Sequence, residues 1–272
     1  MSRRSALYVV VIASLLSALV FPTAGVVEEA TAFPSRHLER AVALADPTTT
    51  TSPTTAPVTP HDWHIPPVEH GLAPVVARVP THEPVVFLGI DDGVHKDADE
   101  LPMMQSNDVH ASLFLANALI HRNPEFFAPF VAAGNLVEDH SISHRLMPRL
   151  SYAEQVQEIC GEADLQRQQF GRRPVFFRPP GGAYNTDTQR AAAACGMRAI
   201  VTWVATVDQG ALQYQLARTL RPGDIVLMHF RPEFHTDMQA FVDAARAAGL
   251  HTELLEDWLP QAKHWMVRRN PA

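Results

Sequence analysis

From residue 84 onward the chain alternates short, almost wholly apolar runs with longer segments whose apolar residues recur every three or four positions. The runs VVFLGI (85–90), HASLFLA (110–116), NLVEDH (135–140), PVFFRP (174–179), RAIVTW (198–203), DIVLMHF (224–230) and HTELLED (251–257) predict strands. Hydrophobicity this continuous marks strands covered on both faces. Residues 123–133, 152–170, 186–195 and 233–248 predict helices, with weaker helical patterns over 101–106 and 213–220. Gly134, Gly171, Gly196 and Gly249 follow four of these segments, where a residue free to adopt positive φ ends a helix. No hairpin signal interrupts the rhythm. A repeated β–α alternation predicts a parallel sheet, either open or closed into a barrel.

Composition narrows the class. With 46% hydrophobic and 19% charged residues in 272, the chain can bury a full core. A net charge of −7, with no basic run backed by spaced aromatics, excludes a nucleic-acid partner, and nothing in the sequence implies a protein partner. Arg3 and Arg4 precede an apolar run from Ala6 to Phe21, the layout of an export signal. Read on to Val27, the run is long enough to anchor in a bilayer, so residues 1–27 are expected to be a signal peptide or membrane anchor, the only membrane contact. Residues 28–80, which include the tract DPTTTTSPTTAPVTP (46–60), are expected to be a largely disordered spacer. Residues 81–272 then form one extracytoplasmic catalytic domain. An exported chain with two cysteines permits a Cys160–Cys195 disulfide, although two buried thiols on neighbouring helices fit as well.

In parallel α/β architectures, ligands bind at the C-terminal ends of the strands. The chemistry-bearing residues gather there: Asp91 and Asp92 after the first run, His140 at the end of the third, Arg178 of the fourth, His229 of the sixth. His140 and His144, four apart, share a face if a helical turn follows the strand, and a carboxylate from Asp91 or Asp92 would complete three ligands for a metal. The remaining acid would be free to take a proton from water. Arg178 suits a carboxylate partner, and the backbone N–H groups of Gly181 and Gly182 are unobstructed.

The set IDDG (90–93), HSISH (140–144), RPPGG (178–182), TWVATVD (202–208) and IVLMH (225–229), in that order, resembles the five motifs of the polysaccharide deacetylase family, also called the NodB-homology domain or carbohydrate esterase family four. The resemblance implies a distorted (β/α)7 barrel. It also implies a metal-dependent hydrolase that removes N- or O-acetyl groups from a polysaccharide or peptidoglycan. Carried onto this sequence, it makes Asp91 the general base, His229 the general acid and Arg178 the residue that holds Asp91. Asp92, His140 and His144 become ligands of a divalent metal, zinc foremost, with cobalt, manganese or nickel as alternatives. Leu227 would line the acetyl pocket, Gly181 N–H would face the oxyanion, Trp203 would line the substrate site, and Asp208 would tune His229. Val94 stands where the family has proline, Gly181 where it has an aromatic, and Phe230 where an aspartate often follows the histidine. A catalytically silent glycan-binding module, or a metal hydrolase of another amide or ester, are the alternative readings.

Overall fold

A computed structural model describes residues 61–259; the expected export segment and the Pro/Thr tract lie outside the described residues. In chain order the elements are β1 (Val75–Val76), β2 (Val85–Asp92), α1 (Glu100–Ser106), β3 (Ala111–Leu115), α2 (Asn117–Ile120), α3 (Ala128–Ala132), β4 (Leu136–Asp139) and α4 (Tyr152–Phe170). There follow β5 (Phe176–Phe177), α5 (Thr186–Ala194), β6 (Ala199–Val201), β7 (Ala205–Asp208), β8 (Ala211–Tyr214), β9 (Ile225–His229), α6 (Phe234–Ala247) and β10 (His251–Thr252). The strands run in the order β1-β6-β5-β4-β3-β2-β9-β7-β8, with β10 also paired to β2. Every pairing is parallel except β7 with β8. This curled sheet with its helices is the expected distorted (β/α)7 barrel of the NodB type.

The central strand shows why the runs are apolar throughout. Val85 and Phe87 of β2 pack with Phe114, Phe176, Val201, Ile225 and Trp258 on one face. Val86, Leu88 and Ile90 pack on the other with Met104 of α1, Phe130 of α3 and Met238 and Phe241 of α6. Two buried faces leave no position for a polar residue until the strand ends. Each fully buried side chain such as Phe87 or Phe241 contributes about 1.5–3 kcal/mol.

Three sequence expectations change. The helix expected over 213–220 is replaced by β8, because Gln209 and Gly210 both take positive φ (51° and 72°) and turn β7 into an antiparallel hairpin. Buried Asp237 of α6 pins that turn, accepting the Gly210 N–H at 2.7 Å. The strand expected over 251–257 shortens to His251–Thr252 and continues as a 3-10 turn over Leu255–Trp258.

The folded domain also begins earlier than residue 81. Ile65, Ala73 and Val79 are fully buried, β1 pairs with β6, and the His61 ring stacks on Trp258 with centroids 3.9 Å apart. The Ile65 N–H donates to the Trp258 carbonyl at 2.9 Å. The described residues all belong to the compact unit Pro57–Ala272. Cys160 of α4 and Cys195, at the end of α5, form a disulfide. Closing a loop of 35 residues' separation is worth about 3–4 kcal/mol on a chain-entropy account.

Candidate active site

Strand alternation alone would send Asp91 and Asp92 to opposite faces of β2. Asp92 instead has φ 77°, in the left-handed region, and this turn of the backbone brings both carboxylates to one cluster. His140 Nε2 lies 3.7 Å from Asp91 Oδ2 and 3.5 Å from Asp92 Oδ1. His144 Nε2 lies 3.1 Å from the same Asp92 oxygen. The two acids therefore face the same way and differ in their partners.

Asp91, 2% exposed, receives the Arg178 Nη1 hydrogen bond at 2.7 Å. Arg178 is fully buried; its guanidinium lies 4.0 Å from the Phe114 ring centroid and its Nε donates to the Val201 carbonyl at 3.3 Å. Burial lowers the Arg178 pKa, while Asp91 opposes that shift by attraction and hydrogen bonding. The guanidinium needs Gly89. A Cβ there would stand 2.3 Å from Arg178 Nη1, so only a strand residue without a side chain leaves room.

His140 and His144 do not share a helical turn. Ser141 and His144 take φ of 68° and 56°, and the loop is tied internally by the His144 N–H, which donates to Ser141 Oγ at 3.1 Å. The imidazole centroids end 4.9 Å apart. His140 Nδ1 donates to the Arg178 carbonyl at 2.6 Å, which fixes the ring and turns Nε2 toward the two carboxylates.

Electrostatics separate the groups further. Burial pushes the Asp92 carboxyl up, but hydrogen bonds from His140 and His144 outweigh it and hold Asp92 well below the usual carboxylate range. The same bond to Asp92 raises His144 against the opposing effect of burial. Burial lowers His229, with partial compensation from Asp91, and its Nδ1 is buried with no hydrogen-bond partner. His229 sits beside Asp91 because β9 pairs with β2 in the register Asp91↔His229, Gly89↔Leu227. Leu227, 5% exposed, shares the His229 face of β9.

Trp203 and Gly182 also join the cluster: the indole lies 5.7 Å from Arg178, and a Cβ on Gly182 would meet it at 2.9 Å. Gly181, with φ 63°, leaves space that Leu146 borders, since a Cβ there would lie 3.2 Å from Leu146 Cδ2. Val94 is 53% exposed.

Asp208 stands apart. Its carboxylate pairs with Arg231 at 3.3 Å and makes no hydrogen bond to His229, because β7 joins the sheet on the far side of β9 and ends in the hairpin. Phe230 is fully buried, stacked on Phe234 and edge-to-face with Phe127 and Phe130, an environment hostile to a carboxylate.

Among the described residues, Asp92, His140 and His144 are the one group of three with metal-ligand character, their donor atoms all within 4.8 Å of one another. Asp92 Oδ1 is buried and faces only the two imidazole nitrogens, at 3.1 and 3.5 Å, so the three donor atoms look toward one another. A carboxylate and two imidazoles with an open side match a hydrolytic metal centre. The histidines of residues 61–70 form no such group.

Sequence reasoning passed over Gly89, Phe114 and Glu158. Gly89 did carry a signal, as the lone glycine inside an apolar strand, where close approach by another group is the usual reason.

Residues 78–200 match the family model described as polysaccharide deacetylase. The chain is 41% identical over 157 residues to an uncharacterized protein of Streptomyces coelicolor, covering 57% of this chain and 63% of that one. It is 30% identical over 116 residues to the peptidoglycan-N-acetylmuramic acid deacetylase PdaC of Bacillus subtilis, covering 42% of this chain and 25% of PdaC. The chain thus spans less than two thirds of either relative. Its fold matches that of a CE4 family pseudoenzyme from Bacillus anthracis, with TM-score 0.60 and 20% identity over 69% of each chain.

Proposed function

We propose, from the match of residues 78–200 to the polysaccharide deacetylase family model, that this protein is a metal-dependent hydrolase removing acetyl groups from a cell-wall or other extracellular carbohydrate. One observation carries the reading: two adjacent carboxylates have different partners, Asp91 with Arg178 and Asp92 with His140 and His144. That division supplies a free base beside a metal cradle, which a binding module does not need. The fold alone would not decide the matter, since a similar fold serves a pseudoenzyme.

Asp92, His140 and His144 would hold the metal, with zinc first and cobalt, manganese or nickel as alternatives. A bound divalent cation supplies Lewis-acid polarisation of the acetyl carbonyl and a more acidic water. Asp91, oriented by Arg178, accepts the proton of the attacking water as its oxygen adds to the acetyl carbon. The Gly181 N–H faces the developing oxyanion, and Leu227 with Trp203 walls the pocket around the acetyl methyl. His229, placed beside Asp91 by the β2–β9 pairing, gives a proton in its protonated form to the departing nitrogen or oxygen as the bond to the acetyl carbon breaks. Acetate and the free amine or hydroxyl result.

The Cys160–Cys195 disulfide supports action outside the cytoplasm, where such bonds persist, in keeping with the export signal read from residues 1–27. The peptidoglycan specificity of PdaC makes peptidoglycan the first substrate to try.

The test is acetate release from peptidoglycan, chitin oligomers and acetylated xylan in the presence of Zn²⁺ or Co²⁺. Asp91→Asn is expected to abolish turnover and keep metal affinity, whereas His140→Ala loses both. Glycan binding without acetate release from any substrate would establish the silent module instead, and equal loss of metal in the two variants would overturn the division of roles.

A further inference from the structure

Beside the buried Ile159 and Ala163, the inward face of α4 carries a row of polar side chains. Gln155, Glu158, Glu162 and Gln166, spaced three or four apart, all point inward. Glu158, 5% exposed, reaches the loop between the two histidines. Its Oε2 accepts the Ser143 N–H at 2.8 Å, and its Oε1 accepts the Ser143 hydroxyl at 2.6 Å and Arg145 Nη2 at 2.9 Å. The Glu158 main-chain carbonyl accepts the Ile142 N–H at 3.3 Å. Three residues further along α4, Gly161 has no side chain because Ile142 occupies its place: a Cβ would lie 2.6 Å from Ile142 Cδ1. Cys160, between them, is locked to α5 by the disulfide.

The loop needs such a hold. Residues 140–144 contain two non-glycine positions in the left-handed region, each costing on the order of 1–3 kcal/mol unless the surroundings enforce it. Burial pushes the Glu158 carboxyl up, but the Ser143 and Arg145 bonds hold it below its usual range, so it grips the loop as a carboxylate.

We propose that Glu158 is a positioning residue for the metal site, which clamps the Ile142–Arg145 backbone from α4 so that His140 and His144 stand ready to bind a cation together. The inference rests on the metal reading above and extends it to a residue outside the five motifs. It acts through Ser143 and touches neither ligand nor substrate.

Metal-free protein, stripped with a chelator, is titrated with Co²⁺ or Zn²⁺ against a chromophoric competitor. Loss of an outer partner of this kind weakens metal binding by roughly 10–100-fold, the change expected for Glu158→Ala. Glu158→Gln, which keeps the shape and one acceptor, is expected to weaken binding less, and the Co²⁺ visible absorption of both variants shifts as the ligands splay. A residue serving only helix packing would lower the melting temperature of the metal-free protein and leave affinity and spectrum at wild-type values. That result in Glu158→Gln overturns the proposal even if the alanine variant fails to fold. Wild-type protein that binds neither metal overturns the metal reading itself, which separates the two failures.

Discussion

At the scale of single residues, the site depends on positions where a side chain is missing as much as on those where one is present. Arg178 can lie fully buried against Asp91 because β2 carries glycine at 89, and the guanidinium occupies the volume of the absent Cβ. Gly89→Ala is therefore expected to push Arg178 off Asp91. Overpacking of this kind costs roughly 1–3 kcal/mol in stability. Misplacing a catalytic group by about an ångström costs on the order of a hundredfold in rate. Melting temperature and the rate of acetate release measure the two effects separately; a variant that keeps full activity would show that Arg178 does not position the base. The residues of the family motifs were legible in the sequence because their types are chemically conspicuous. Gly89 and Glu158 were not, because a glycine or a glutamate acquires its role only from what packs against it.

At the scale of elements, α4 shows how polar groups can replace a hydrophobic face. Gln166 Nε2 donates to the carbonyls of Leu115 and Glu138 at 2.8 and 3.1 Å, and to Glu162 Oε1 at 2.9 Å. Gln155 accepts the Thr188 hydroxyl at 2.6 Å. The helix thus buttresses strand ends that sheet pairing alone leaves short. This arrangement carries a pH cost at Glu162, which burial pushes up to about 8 from 4.5. Burial and the neighbouring Glu162 also push Asp139 up. A group with its folded pKa above its unfolded value contributes stability below the unfolded pKa and loses it as pH rises through the folded one. The metal-free protein is accordingly expected to lose stability between about pH 4.5 and 8. Glu162→Gln removes the ionisation and is expected to melt higher than wild type at the alkaline end, with a flatter profile. Parallel Tm–pH curves for the two proteins would show that Glu162 does not titrate in this range.

At the scale of the whole molecule, the domain is closed by a segment that its composition disguised. Residues 61–79 read as the tail of a Pro-rich spacer, yet Ile65, Ala73 and Val79 are fully buried and Val76 nearly so. Asp62 accepts the His82 N–H at 2.9 Å, and His61 pairs with Glu83 at 3.0 Å. A protein beginning at Pro80 loses these buried side chains together with β1. It is expected to melt at least about 10 °C below one beginning at His61, if it folds at all. Equal melting temperatures would show that the segment docks without stabilising.

The sequence by itself determined the β–α rhythm, the helix over 152–170 to the residue, and the placing of acids, histidines and arginine at strand ends. These are local properties: covering both faces of a strand demands a continuous apolar run, and polar groups are tolerated where the strand emerges. Tertiary structure decided which partners those groups take. Left-handed backbone at Asp92, Ser141 and His144 turns side chains toward one point against the strand and helix periodicities, and no periodicity in the sequence records a φ angle. Sheet order likewise put Asp91 beside His229 and left Asp208 with Arg231, since Asp91 and His229 lie 138 residues apart in the chain and meet only when the sheet closes.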